Sequence, residues 1–223
     1  MAEEQKKSGK NSIEKFKSEV GPIGFIGAIV GLVVLVGASV VFFLNFRQDQ
    51  RNEEAQNEIF QAQYYYEKDS LDYALNGDGR NLGFVQIVDI YSGTEVANLA
   101  SFYAGASYLK LRDFQMAADY LEGFSSEEEI VMARALKLLG DAYMELGNFS
   151  DAAKNYVSAA NTVDDQFFSP SYLMSASLAF ERGGELQKAI DVLDQIVTDY
   201  KEATNEVLEA RKQKARLEIL AGR

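Results

Sequence analysis

Acid–base chemistry in this chain would have to run on carboxylates, because its 223 residues include no His and no Cys. Losing both removes the usual general base, the commonest metal ligand and every thiolate reaction. A pair of carboxylates can still hydrolyse a glycoside or hold Ca²⁺, so the acidic clusters come first. Asp78 and the pair Asp164-Asp165 lack the ligand spacing of a calcium loop and read as turn residues. In Ser125-Ser126-Glu127-Glu128-Glu129, Ser126 and Glu129 have the spacing of a capping box, and an acidic first turn suits the helix dipole. No catalytic residue, metal ligand or cofactor-binding residue is assigned. The run Tyr64, Tyr65, Tyr66 goes round a helix, so at most two of the three rings can pack inward.

The remaining recognition chemistry is apolar and ionic contact along helices.

The helices belong to a repeat. Segments starting at Asn98, Ala133 and Pro170 align in one frame, 35 and 37 residues apart. Gly105, Gly140 and Ser177 supply a small residue on a first helix, and Ala117, Ala152 and Ala189 one on a second helix. Small side chains at both places let paired helices approach closely. Asp113-Phe114, Gly147-Asn148-Phe149 and Gly183-Gly184 mark the turns, and 164–169 lengthens one inter-repeat loop. The pattern resembles the tetratricopeptide repeat, a helix–turn–helix unit of about 34 residues. That resemblance places the first helices along a concave groove. Its candidate residues are then Phe102, Ala106 and Leu109, Arg134, Lys137 and Asp141, and Met174, Leu178 and Glu181, a mixture that suits an extended peptide or a partner helix. The resemblance implies a groove unlike the subtype that clamps a terminal carboxylate, which wants an Asn where Asp141 stands; Asp141 would repel such a carboxylate.

Upstream, 22–44 reads PIGFIGAIVGLVVLVGASVVFFL, without a charge. At 1.5 Å per residue, about 20 apolar residues cross a bilayer core. The run exceeds the roughly 7–15 apolar residues of a cleaved signal peptide, and without Cys a lipoprotein anchor is impossible. Gly24, Gly27, Ala28 and Gly31 share one stripe of this helix, where another membrane helix would fit closely. Lys6, Lys7, Lys10, Lys15 and Lys17 precede the span, whereas only Arg47 and Arg51 follow it nearby, which puts the N-terminus in the cytoplasm. Residues 47–223 carry 17 Lys and Arg against 30 Asp and Glu, a field that disfavours nucleic acid.

The expected fold is all-α: a single N-terminal transmembrane helix, then a tetratricopeptide-repeat α-solenoid with a C-terminal capping helix. Its parts are a cytoplasmic tail (1–19), the transmembrane helix (20–46), a linker helix with a divergent first helical pair (47–97), three repeats (98–203) and the cap (204–223). Within 47–97, the sequence predicts one helix over 49–76, a turn at Gly77-Asp78-Gly79 and a second helix over 81–91.

Tail, span and acidic repeats together, with the stretch LNGDGRNLGFVQIVDIYSGTEVANLASFYAG, resemble the YfgM-like ancillary subunits of the bacterial Sec translocon. The resemblance implies a non-catalytic, single-pass inner-membrane protein with a periplasmic repeat domain. Its implied partners are a SecYEG-type translocon, a PpiD-like membrane-anchored chaperone, unfolded secretory proteins and the lipid bilayer. Two other functions stay open: an envelope scaffold for division, motility or secretion, and, with reversed topology, an organellar import receptor.

Overall fold

The structure, a computed structural model, describes the backbone of residues 2–222 and the side chains of 21, 26, 27 and 30–222. The described residues form ten helices and no strand: α1 (Ala2–Glu67), α2 (Leu71–Asn76), α3 (Phe84–Ile90), α4 (Glu95–Lys110), α5 (Phe114–Glu122), α6 (Glu129–Glu145), α7 (Phe149–Val163), α8 (Ser169–Arg182), α9 (Leu186–Asp199) and α10 (Thr204–Leu220). They divide into two compact units, residues 2–51 and 52–222.

In the first unit α1 breaks once, at Gly21, where φ is +71° and ψ 170°. Only glycine takes that conformation readily, and the following Pro22 disfavours a helical predecessor. Beyond the break, the described apolar side chains stay exposed, Phe42 by 74%. Within α1 lies the one helix among the described residues that is long and apolar enough to cross a membrane. An apolar surface left uncovered by protein is what lipid contact requires. Ser39 returns its hydroxyl to the carbonyl of Leu35 at 2.8 Å, so it adds no unsatisfied polar group. A Cβ on Gly27 or Gly31 would meet nothing within 4 Å. Gly24 and Ala28 lie outside the described side chains.

In the second unit, antiparallel helices stack into a solenoid with three successive apolar clusters. The first takes Ala55, Ile59 and Ala62 from α1 and closes on Phe84 and Ile87 of α3 and Ala100 and Ala104 of α4. Two of the three tyrosines, Tyr65 and Tyr66, pack against it, while Tyr64 is exposed. The second joins Phe102, Leu121 and Phe124 to Ala135 and Leu139, and the third runs from Ala152 to Leu217. The small sites fall where the paired helices cross. A Cβ on Gly105 would stand 2.5 Å from Leu121 Cγ and 3.1 Å from the Ala117 carbonyl. Ser177 donates its hydroxyl to the Ala189 carbonyl at 3.2 Å.

Four helices end in the same way. The N–H groups of Ser70, Asp113, Asn148 and Glu185 reach back to the carbonyls of Tyr65, Tyr108, Tyr143 and Phe180 at 2.8–2.9 Å. The residue before each is left-handed: Asp69, Arg112, Gly147 and Gly184. This nested closure satisfies carbonyls that a helix end would otherwise orphan. It also corrects the expected helix over 49–76, which is two helices parted by the Asp69 turn. The second expected helix is shorter, Phe84–Ile90.

The segment Gly77-Asp78-Gly79 is a loop organised by Asp78. Its Oδ1 accepts N–H bonds from Arg80 (2.8 Å) and Asn81 (2.7 Å), and its Oδ2 the Tyr65 hydroxyl at 2.8 Å. Those bonds, the backbone ones foremost, hold its pKa far below the usual carboxylate range. The expected capping box at Ser126 and Glu129 does not form. Ser126 Oγ instead accepts the N–H of Glu128 at 3.1 Å in a tight turn, and Glu128 takes the N-cap position.

Candidate interaction groove

The intra-repeat turns set the ends of α4, α6 and α8 side by side, and their last turns line a cleft of about 510 Å³. From α4 and its turn come Leu109 and Arg112, and from the start of α5 Phe114; from α6, Asp141, Met144 and Glu145; from α8, Ser175, Leu178 and Arg182. Tyr156 of α7 forms the floor, 3% exposed. Of the residues expected in the groove, Leu109, Asp141 and Leu178 therefore meet, although they come from three different repeats.

Asp141 is the electrostatic centre. Its Oδ2 accepts a hydrogen bond from Lys137 Nζ at 2.6 Å, and its Oδ1 the Tyr156 hydroxyl at 2.8 Å. Burial first, then the charge of Asp141, pushes the Tyr156 phenol well above the ordinary tyrosine range. Tyr156 thus stays a neutral donor, and Lys137 offsets much of the repulsion that Asp141 would exert on an anion. Tyr143 repeats the device at the edge of the repeat. Its hydroxyl donates to Glu122, and that bond, with burial, pushes its pKa up to about 12.

The other expected groove residues stand elsewhere. Phe102 is buried: its ring packs 5.3 Å from Phe124 and 5.6 Å from Tyr103, centroid to centroid, within the second cluster. It holds the core and offers no surface, and Ala106 is likewise buried. Met174 packs partly against the third cluster. Arg134 is exposed two turns N-terminal of Asp141, away from the cleft lining. Glu181 pairs with Arg216 of α10 through two hydrogen bonds of 2.7 and 2.6 Å, which ties the last helix to α8.

Sequence reasoning missed Arg112, Phe114, Met144 and Arg182. Arg112 follows Leu109 by three residues, Met144 follows Asp141 by three, and Arg182 follows Leu178 by four. For Met144 and Arg182 the i, i+3, i+4 spacing on α6 and α8 was the available signal. Arg112 lies past the end of α4 in the left-handed turn and Phe114 opens α5, so helical spacing gives neither. The guanidinium of Arg112 lies 5.6 Å from the centre of the Phe114 ring. The cleft can thus offer an apolar strip, two cations and the Glu145 carboxylate, which suits side chains of a protein segment. Among the described residues, no group of three or more carboxylates is placed to hold a metal ion.

Comparison with known proteins accords with this geometry. Residues 104–167 and 137–204 match a family model described as the tetratricopeptide repeat. A crystal structure of a Podosopora anserina kinesin light chain with nearly identical TPR-like repeats superposes with a TM-score of 0.54. That match has 14% identity and covers 77% of this chain and 93% of the other. A single-residue variant of the same protein gives 0.54, 15%, 77% and 92%. At such identities the likeness shows the fold alone. The search of curated proteins returns no match. Residues 104–204 carry tetratricopeptide repeats, and such repeats serve protein–protein interaction.

Proposed function

We propose that this chain is a membrane-anchored, non-catalytic interaction protein. Its repeat domain stands outside the cytoplasm beside a SecYEG-type translocon, where it assists a PpiD-like chaperone with emerging secretory chains. The observation that carries the interaction role is the cleft built by Leu109, Asp141 and Leu178, on three successive first helices, in a chain that also holds an uncovered membrane-length helix. The lysine excess before that helix supports the orientation, and the resemblance to YfgM-like subunits supports the partners. Tethering a groove beside a pore raises its effective concentration, so weak contacts with an unfolded chain suffice.

The chain has no cysteine, so one introduced at Glu129 is a unique label. In intact cells it should react with a membrane-impermeant maleimide; protection until lysis would reverse the topology and favour an import receptor. Solubilised in mild detergent, the chain should copurify with translocon and chaperone subunits. A photocrosslinker at Leu178 should capture nascent secretory chains, and capture of fixed partners alone would make the protein an envelope scaffold.

A further inference from the structure

The end of the repeats opposite the cleft carries a second surface. There the α7–α8 loop presents Phe167, 83% exposed, beside Phe168, whose ring stacks on Tyr172 at 6.4 Å. The loop is held firmly. Asp165 Oδ1 accepts the N–H groups of Phe167 (2.9 Å) and Phe168 (2.6 Å). Ser169 Oγ accepts the Asp165 N–H at 3.0 Å and donates to the Ala160 carbonyl at 2.8 Å. Gln166 spans to the next inter-repeat segment, donating to the Asp199 carbonyl and accepting the Glu202 N–H, both at 3.3 Å. These bonds fix the loop backbone from which Phe167 projects, so the segment loses little backbone entropy on binding.

Next to this ridge lies a polar depression of about 660 Å³, lined by Asn161, Asp164, Gln166, Gln195, Asp199 and Tyr200. The Tyr200 hydroxyl donates to Asp164 Oδ1 at 2.9 Å, and Thr198 Oγ1 to Asp199 Oδ1 at 2.9 Å. Among the described residues no cation pairs with Asp164, Asp199 or Glu202. We propose that this edge is a second docking surface, distinct from the cleft. Its occupant is a folded protein that takes Phe167 into an apolar pocket and places Lys or Arg side chains in the acidic depression. Charge complementarity selects the occupant: the carboxylates of Asp164 and Asp199 in the depression, with Glu202 next to Gln166 at its border, disfavour an acidic partner, anionic lipid and a second copy of this acidic chain.

The test places photoreactive benzoylphenylalanine at position 167 of the full chain in native membranes, with a parallel probe at Leu178. The 167 probe should give one discrete protein adduct. Its crosslinked peptide, mapped by mass spectrometry, should lie in a folded domain with Lys or Arg beside the attachment point. Asp199→Lys with Glu202→Lys should lower that adduct about tenfold, as an unfavourable charge contact of roughly 1.4 kcal/mol would. The 178 adduct should be unchanged; neither side chain holds the loop, and an unaltered thermal midpoint confirms the fold. An adduct insensitive to charge reversal, attachment to lipid or to another copy, or no adduct at 167 would overturn the proposal. The groove reading is judged separately, by the 178 probe.

Discussion

At Gly140 the α6–α7 contact leaves no room for a methyl group. A Cβ there would lie 2.7 Å from Tyr156 Cε1, and that ring cannot retreat while its hydroxyl is held on Asp141. Gly140→Ala should cost about 1–3 kcal/mol, read as a lower urea midpoint of the detergent-solubilised chain. The tyrosines set the alkaline limit. Folding favours the neutral phenol of Tyr143, whose pKa is about 12, and of Tyr156, whose pKa is also raised. Below about pH 10 both states keep these protons, so their contribution is fully present. Between about pH 10 and 12 the unfolded chain releases protons that the folded chain retains, and stability falls as pH rises. Urea midpoints taken across that range should decline, and Tyr143→Phe should make the decline shallower.

Among elements, the nested helix endings are the device that makes the repeats regular. Two of the four left-handed positions are Gly147 and Gly184, legible as turns from glycine alone. The other two are Asp69 and Arg112. Asp tolerates the left-handed region and Ser70 after it is a common helix start, but two polar residues inside a long helical pattern are a weaker signal than glycine. The expected helix therefore runs through the break between α1 and α2. Relieving that strain at Arg112 should stabilise: Arg112→Gly is expected to add about 0.5–1 kcal/mol. The same change removes a cation from the cleft and should weaken capture by a probe at Leu178, which separates binding from stability. The start of α4 depends on Thr94, whose buried Oγ1 accepts the Ala97 N–H at 3.1 Å. Thr94→Ala should cost about 1 kcal/mol by the same urea measurement, and Thr94→Ser should restore most of it.

For the whole molecule, α10 closes the solenoid. Leu217 and Ala210 are buried in the third cluster, and Arg216 holds Glu181. A stop after Ala203 would expose Ile196 and Leu193, and the shortened chain should aggregate or unfold at least about 5 °C earlier in a detergent melt. The repeat frame, the crossing sites at Gly105, Ala117, Ser177 and Ala189, the cap and the membrane-length helix were all legible beforehand. They follow from helical periodicity, from small residues at fixed spacing and from a continuous apolar run, each a short-range property of the chain. Which faces stay open was decided by the tertiary structure alone. Phe102 and Phe167 are the same residue type, yet one is sealed beneath Phe124 and the other stands in solvent. Exposure depends on which neighbouring helix covers a side chain, and that neighbour arrives from a distant part of the sequence.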